Sequence, residues 1–109
     1  MSETKKKTSV KVARTDEVPA GQVRTFEVNG LSLAVANVDG RFYAIDNLCT
    51  HDDGPLGDGR LLGTSVECPR HGARFDVRTG AVVRMPAAFP VRAYPTRVED
   101  GQVVIEVEE

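Results

Sequence analysis

Four turn dipeptides, Asn29-Gly30, Asp39-Gly40, Thr79-Gly80 and Asp100-Gly101, punctuate the 109-residue chain. Each sits between segments rich in Val, Leu, Phe, Tyr or Ile. Short apolar runs joined by such pairs are the signature of β-hairpins, in which glycine supplies the positive φ of the tight turn. Leu31, Leu33 and Val35 recur at period two, as do Val103, Ile105 and Val107, so each set is expected to face one side of a sheet. Strands are expected over 10–14, 22–28, 31–38, 41–46, 65–67, 73–76, 91–98 and 102–107, spaced as in a β-sandwich or barrel. No window carries a helical stripe, and Pro19, Pro55, Pro69, Pro86, Pro90 and Pro95 interrupt the stretches long enough to hold one. The expected fold is all-β and antiparallel. Residues 1–8 are expected to be a polar tail, and residues 9–109 one domain, large enough for a core of its own.

With 40% hydrophobic and 28% charged residues, the composition is that of a globular protein and excludes a disordered or fibrous chain. No apolar run approaches the length of a membrane span. The opening Met-Ser-Glu-Thr-Lys-Lys-Lys-Thr has no apolar stretch behind it, so no secretory signal is expected and a cytoplasmic location is. Fourteen basic and sixteen acidic residues are interspersed for a net charge of −2, which argues against general attraction to nucleic acid or anionic lipid. Lys5, Lys6 and Lys7, the one basic run, suit a solvated tail.

Chemistry concentrates at 49–57 and 68–72, which are turn-like and hold every Cys and His of the chain. The first box reads Cys49-Thr50-His51 and the second Cys68-Pro69-Arg70-His71, with sixteen residues between His51 and Cys68. A Cys and a His two or three residues apart in a turn can aim both donors into one small volume, and two such turns make a four-point cage. A Cys49–Cys68 disulfide would leave both histidines without a role and is rare in the cytosol. Structural zinc accepts two thiolates and two imidazoles, but its fingers pair Cys with Cys and His with His. The mixed order favours something larger than one metal ion.

The two boxes resemble those of the Rieske family, particularly the Rieske ferredoxins that serve aromatic-ring-hydroxylating dioxygenases. The likeness extends through Gly54 and Leu56 in the first loop to Pro69, Gly72, Phe75, Asp76, Thr79 and Gly80 around the second, and covers roughly residues 10–107. It implies a Rieske-like sandwich with two cluster-binding loops at one tip. It also implies one [2Fe–2S] cluster, with Cys49 and Cys68 binding one iron through sulfur and His51 and His71 binding the other through nitrogen. Exchanging two thiolates for neutral imidazoles removes two negative charges, which is why such centres lie at roughly −150 to +300 mV, against about −400 mV for all-cysteine plant-type ferredoxins.

Hydrogen bonds to the sulfurs would raise the potential within that window. In high-potential members of the family a Ser and a Tyr after the second box donate them; Ala73 and Phe75 stand there in this chain, without hydroxyls. Those members also brace the loops with an extra disulfide, at places filled here by Gly54 and Arg70. A low-potential, unbraced centre is therefore expected. Its role would be to pass single electrons from a flavin-dependent NAD(P)H reductase to a terminal oxygenase, with the chain a monomer and an electron carrier rather than an enzyme. Asp52, Asp53, Asp58, Arg70 and Arg74 would form a mixed-charge rim at the docking tip, and Leu56, Phe75 and Phe42 the core beneath the loops. Asp76, Thr79 and Gly80 would make a supporting turn. A subunit resembling the small subunit of assimilatory nitrite reductase and a zinc-stabilised binding module are the alternatives.

Overall fold

The computed structural model describes residues 7–49, 54–69, 72–85 and 89–108. Eleven strands account for nearly all of its regular structure: β1 Lys7–Arg14, β2 Val23–Val28, β3 Leu31–Val38, β4 Arg41–Asp46, β5 Arg60–Leu62, β6 Ser65–Glu67, β7 Arg74–Asp76, β8 Val82–Arg84, β9 Ala93–Tyr94, β10 Thr96–Glu99 and β11 Gln102–Glu108. Two single 3-10 turns, Thr15–Glu17 and Leu56–Asp58, complete the regular structure of the described residues. The strands form three antiparallel sheets in the orders β1-β11-β10, β2-β3-β4-β9 and β5-β6-β7-β8.

Three of the expected turns are two-residue hairpins. Asn29 and Gly30 (φ 50° and 82°), Asp39 and Gly40 (51° and 89°), and Asp100 and Gly101 (51° and 74°) place both central residues at positive φ and close β2–β3, β3–β4 and β10–β11. That turn twists with the strands it joins, which explains why β3 and β4 begin and end where the sequence places them. Thr79-Gly80 lies instead in a longer β7–β8 connection, where the N–H groups of Thr79 and Gly80 donate to the Asp76 carbonyl and Gly80 packs its Cα against the Val91 carbonyl.

Strand β3 of the middle sheet is buried on both faces from Leu33 to Asn37, and alternation along it separates two cores. Leu33 and Val35 join Val28, Phe42, Ala44, Tyr94, Val103, Ile105 and Val107 on the side of the β1-β11-β10 sheet. Ala34 and Ala36 turn the other way, with Ile45, toward Leu56, Val66, Ala73, Phe75 and Val77 of the third layer. Large residues on one face and alanines on the other let the third layer approach the central sheet closely.

Several expectations change. Strands β5 and β8 were not anticipated, because three residues are too few to display alternation. The expected strand 91–98 breaks at Pro95, which has no N–H for a ladder: β9 pairs with β4 in the central sheet and β10 with β11 in the outer one. Strand β1 starts at Lys7, inside the stretch assigned to the tail, and pairs with β11. Phe42 does not lie under the ligand loops, because its parity along β4 sends it into the opposite core with Ala44.

Buried Asn37 ties the 18–22 connection to the β3–β4 turn. Its Nδ2 donates to the Val18 carbonyl at 2.7 Å and its Oδ1 accepts the Gly40 N–H at 2.7 Å. Asn37→Ala leaves the buried Val18 carbonyl without its donor and the Gly40 N–H without its acceptor, and is expected to cost about 1–3 kcal/mol in denaturant unfolding; an unchanged midpoint would show that water replaces the amide.

Candidate metal centre

Each cysteine stands at the base of a pinched loop. The Cys49 N–H donates to the Gly54 carbonyl at 2.8 Å, and the Cys68 N–H donates to the Ala73 carbonyl at 2.7 Å. Both bonds run from residue i to residue i+5, so the two boxes are closed by the same device. In the second loop the Gly72 N–H also donates to the Cys68 carbonyl at 3.2 Å, with Gly72 at φ 79°, a backbone region that glycine enters without strain. This pinch continues the β6–β7 ladder: Val66 pairs with Phe75, Glu67 with Arg74, and Cys68 meets Ala73 beyond them.

The first loop is seated from below by Asn47. Its main-chain N–H donates to the Ser32 carbonyl at 3.0 Å, its Nδ2 donates to Ser32 Oγ at 3.0 Å, and its Oδ1 accepts the Gly57 N–H at 2.6 Å. A side chain at Gly57 would collide with Thr25 Oγ1, and one at Gly59 with the Glu67 carbonyl, so both glycines mark close approach of the loop to the sheets. Asn47 gave no signal in the sequence, since its role depends on register.

Cys49 and Cys68 are 0% and 1% exposed and belong to one apolar cluster with Leu56, Ala73 and Phe75. No disulfide joins them. Two thiols brought into one apolar cluster by matched loops suit a bound metal group, because thiolate charge there requires a cationic partner. His51 and His71, together with Asp52, Asp53 and Arg70 of the expected rim, lie outside the described residues. Among the described residues no three Cys, His, Asp or Glu side chains gather into a metal-binding group.

Around the site, charges pair with one another. Glu67 accepts Arg60 Nε at 2.9 Å through Oε1, and Arg74 Nε and Nη2 at 3.3 and 3.2 Å through Oε2. The Arg60 hydrogen bond, then that of Arg74, holds the Glu67 carboxyl below the usual range against the opposing effect of burial. Arg74 is thus engaged by a neighbouring strand rather than presented as an isolated rim charge. Arg78 forks onto Asp76 at 3.1 and 2.8 Å and lowers its carboxyl as well, which anchors the turn expected at Asp76, Thr79 and Gly80.

On the far side of β4, Tyr94 Oη donates to Asp46 Oδ1 at 2.6 Å while Arg92 lies 5.3 Å from the ring centroid. Burial first, and the Asp46 bond second, push the Tyr94 hydroxyl from 10.0 up to about 12.

A β-sandwich with two cysteine-bearing loops of this kind defines a class of metal-binding domain, and comparison identifies it: the chain belongs to the Rieske [2Fe-2S] domain family, whose model matches residues 8–95. Among curated relatives, the ferredoxin component of the naphthalene 1,2-dioxygenase/salicylate 5-hydroxylase systems of a Ralstonia species is 39% identical over 99 residues, covering 91% of this chain and 95% of its own. Among solved structures, the ferredoxin of carbazole 1,9a-dioxygenase from Nocardioides aromaticivorans IC177 superposes with a TM-score of 0.86 at 38% identity, covering 90% and 96% of the two chains. A further match, at TM-score 0.82 and 34% identity over 89% of this chain and 91% of the other, is to a structure of reduced oxygenase in complex with oxidized ferredoxin from carbazole 1,9a-dioxygenase. No helix among the described residues is long and apolar enough to cross a membrane.

The Tyr94 geometry sets a pH test. The unfolded chain ionises this phenol near pH 10 and the folded chain near 12, so the neutral form's contribution is complete below pH 10 and lost as pH rises from about 10 to 12. The stability difference between the wild type and Tyr94→Phe is expected to narrow across that window, measured by urea unfolding; a difference that stays constant would contradict the assignment.

Proposed function

We propose that this chain is the ferredoxin component of a multicomponent oxygenase system. It takes single electrons from a flavin-dependent NAD(P)H reductase and delivers them to a terminal oxygenase, and is itself an electron carrier without substrate chemistry. The observation that carries this reading is the pair of core-buried thiols on loops pinched in the same way, each loop also containing one of the chain's two histidines. Relatives named as ferredoxin components, matched over nine-tenths of this chain, support it.

When bound, a [2Fe–2S] cluster supplies reversible one-electron redox chemistry. Cys49 and Cys68 would hold one iron of it and His51 and His71 the other. The main-chain bonds to Gly54 and Ala73 hold the two cysteine backbones, so that little rearrangement accompanies a change of charge. Leu56, Ala73 and Phe75, all fully buried, shield the sulfur side from water. Neither Ala73 nor Phe75 can donate a hydrogen bond from its side chain, which leaves the more negative state without that support. The midpoint accordingly belongs near the low end of the window of roughly −150 to +300 mV. Residues 9–109 act as one domain around this site.

Iron and acid-labile sulfide analysis of the purified chain is expected to give two of each per chain and no zinc. One zinc in a colourless protein would replace this reading with a structural module. Redox titration is expected to find the midpoint below 0 mV, and Ala73→Ser with Phe75→Tyr is expected to raise it. A midpoint well above 0 mV, or no rise in the double variant, would show that hydroxyl donors do not set the potential. With candidate reductases and oxygenases, electrons should flow only when all three components are present; a chain that no reductase reduces would overturn the carrier role.

A further inference from the structure

The outer face of the β5-β6-β7-β8 sheet carries a row of charges in direct cross-strand register. Arg60 stands opposite Glu67, Glu67 opposite Arg74, and Arg74 opposite Arg84. Alternate residues of the same strands, Leu61, Val66 and Phe75, face the core that holds both cysteines. The Glu67–Arg74 pair is the last rung of the ladder before Cys68 and Ala73. A carboxylate is therefore built one residue from Cys68, and an arginine one residue from the carbonyl that closes the loop. Glu67 is bridged on both sides, at 2.9 Å by Arg60 and 3.2 Å by Arg74.

Adding an electron makes the site more negative, so a nearby anion opposes reduction and a nearby cation favours it. We propose that the Arg60–Glu67–Arg74 row sets the midpoint potential from outside the ligand set, its two guanidiniums compensating the Glu67 charge beside Cys68. The inference rests on Cys68 being a cluster ligand. The three residues would act through their charge on the site rather than as ligands. Their exposures rank their influence: the Arg74 side chain is 30% exposed and that of Arg60 71%, so solvent screens Arg60 more.

The test is spectroelectrochemical titration of the iron-loaded protein and of Arg74→Gln, Arg60→Gln, Glu67→Gln and Arg74→Lys, with the thermal midpoint of each measured alongside. Arg74→Gln is expected to shift the potential to more negative values and Arg60→Gln to do so less. Glu67→Gln should shift it to more positive values. Arg74→Lys keeps the charge but loses the planar fork, and should stay close to the wild type even if it melts lower. A row that only braces the sheet would lower the melting temperatures and leave all potentials together, which overturns the inference, as would a positive shift in Arg74→Gln. Should Glu67→Gln fail to retain iron, the contrast between Arg74→Gln and Arg74→Lys decides by the same criteria. A wild-type cluster whose potential ignores these changes defeats this inference alone, whereas a wild-type chain that binds no iron defeats the ligand reading and this inference with it.

Discussion

Two main-chain hydrogen bonds, from Cys49 to Gly54 and from Cys68 to Ala73, are the constraint on which the site depends. Each closes a six-residue span at its cysteine, Cys49 to Gly54 and Cys68 to Ala73, and so fixes the base of its loop. Those bonds hold only because the sheets beneath are locked in register. One loop leaves β4 and is seated by Asn47 on Ser32 and Gly57; the other is the continuation of the β6–β7 ladder. A redox site benefits from such a base, since rigid surroundings keep the reorganisation that accompanies a change of charge small.

The three-layer arrangement explains how a chain of this size supplies that rigidity. The central sheet has no solvent-facing side along β3, so Leu33 and Val35 secure it to the outer sheet while Ala34 and Ala36 admit the loop-bearing layer. Close approach recurs at Gly57, Gly59 and Gly80, each backed against a neighbouring strand or loop with no room for a side chain. The outer core stabilises the fold and the inner one contains the thiols. Function and stability thus occupy opposite faces of one sheet.

Much of this was legible in the sequence where signals were local. Strands β3 and β4 were placed to the residue, because alternation and an Asp-Gly turn both act within a few positions. Both ligand boxes were visible because Cys and His are scarce and clustered. What escaped depended on pairing across distance. The short β5 and β8 have no periodicity to show, although Gly63-Thr64 between Arg60–Leu62 and Ser65–Glu67 is a hairpin signal that could have revealed the first of them. Phe42 was assigned to the wrong core, since knowing that it is buried does not tell which face of β4 it takes. The Arg60–Glu67–Arg74 row follows from register alone, which sets Arg74 opposite Glu67.

The central claim is that Cys49 and Cys68 share one iron while His51 and His71 share the other. Mössbauer spectroscopy of protein loaded with iron-57 tests it most directly, because it resolves iron sites by their ligands. The account predicts two inequivalent sites in equal amount, one with an all-sulfur environment and one with nitrogen ligands, and loss of the second in a His51→Ala, His71→Ala variant. Two equivalent all-sulfur irons, or one iron per chain, would contradict it.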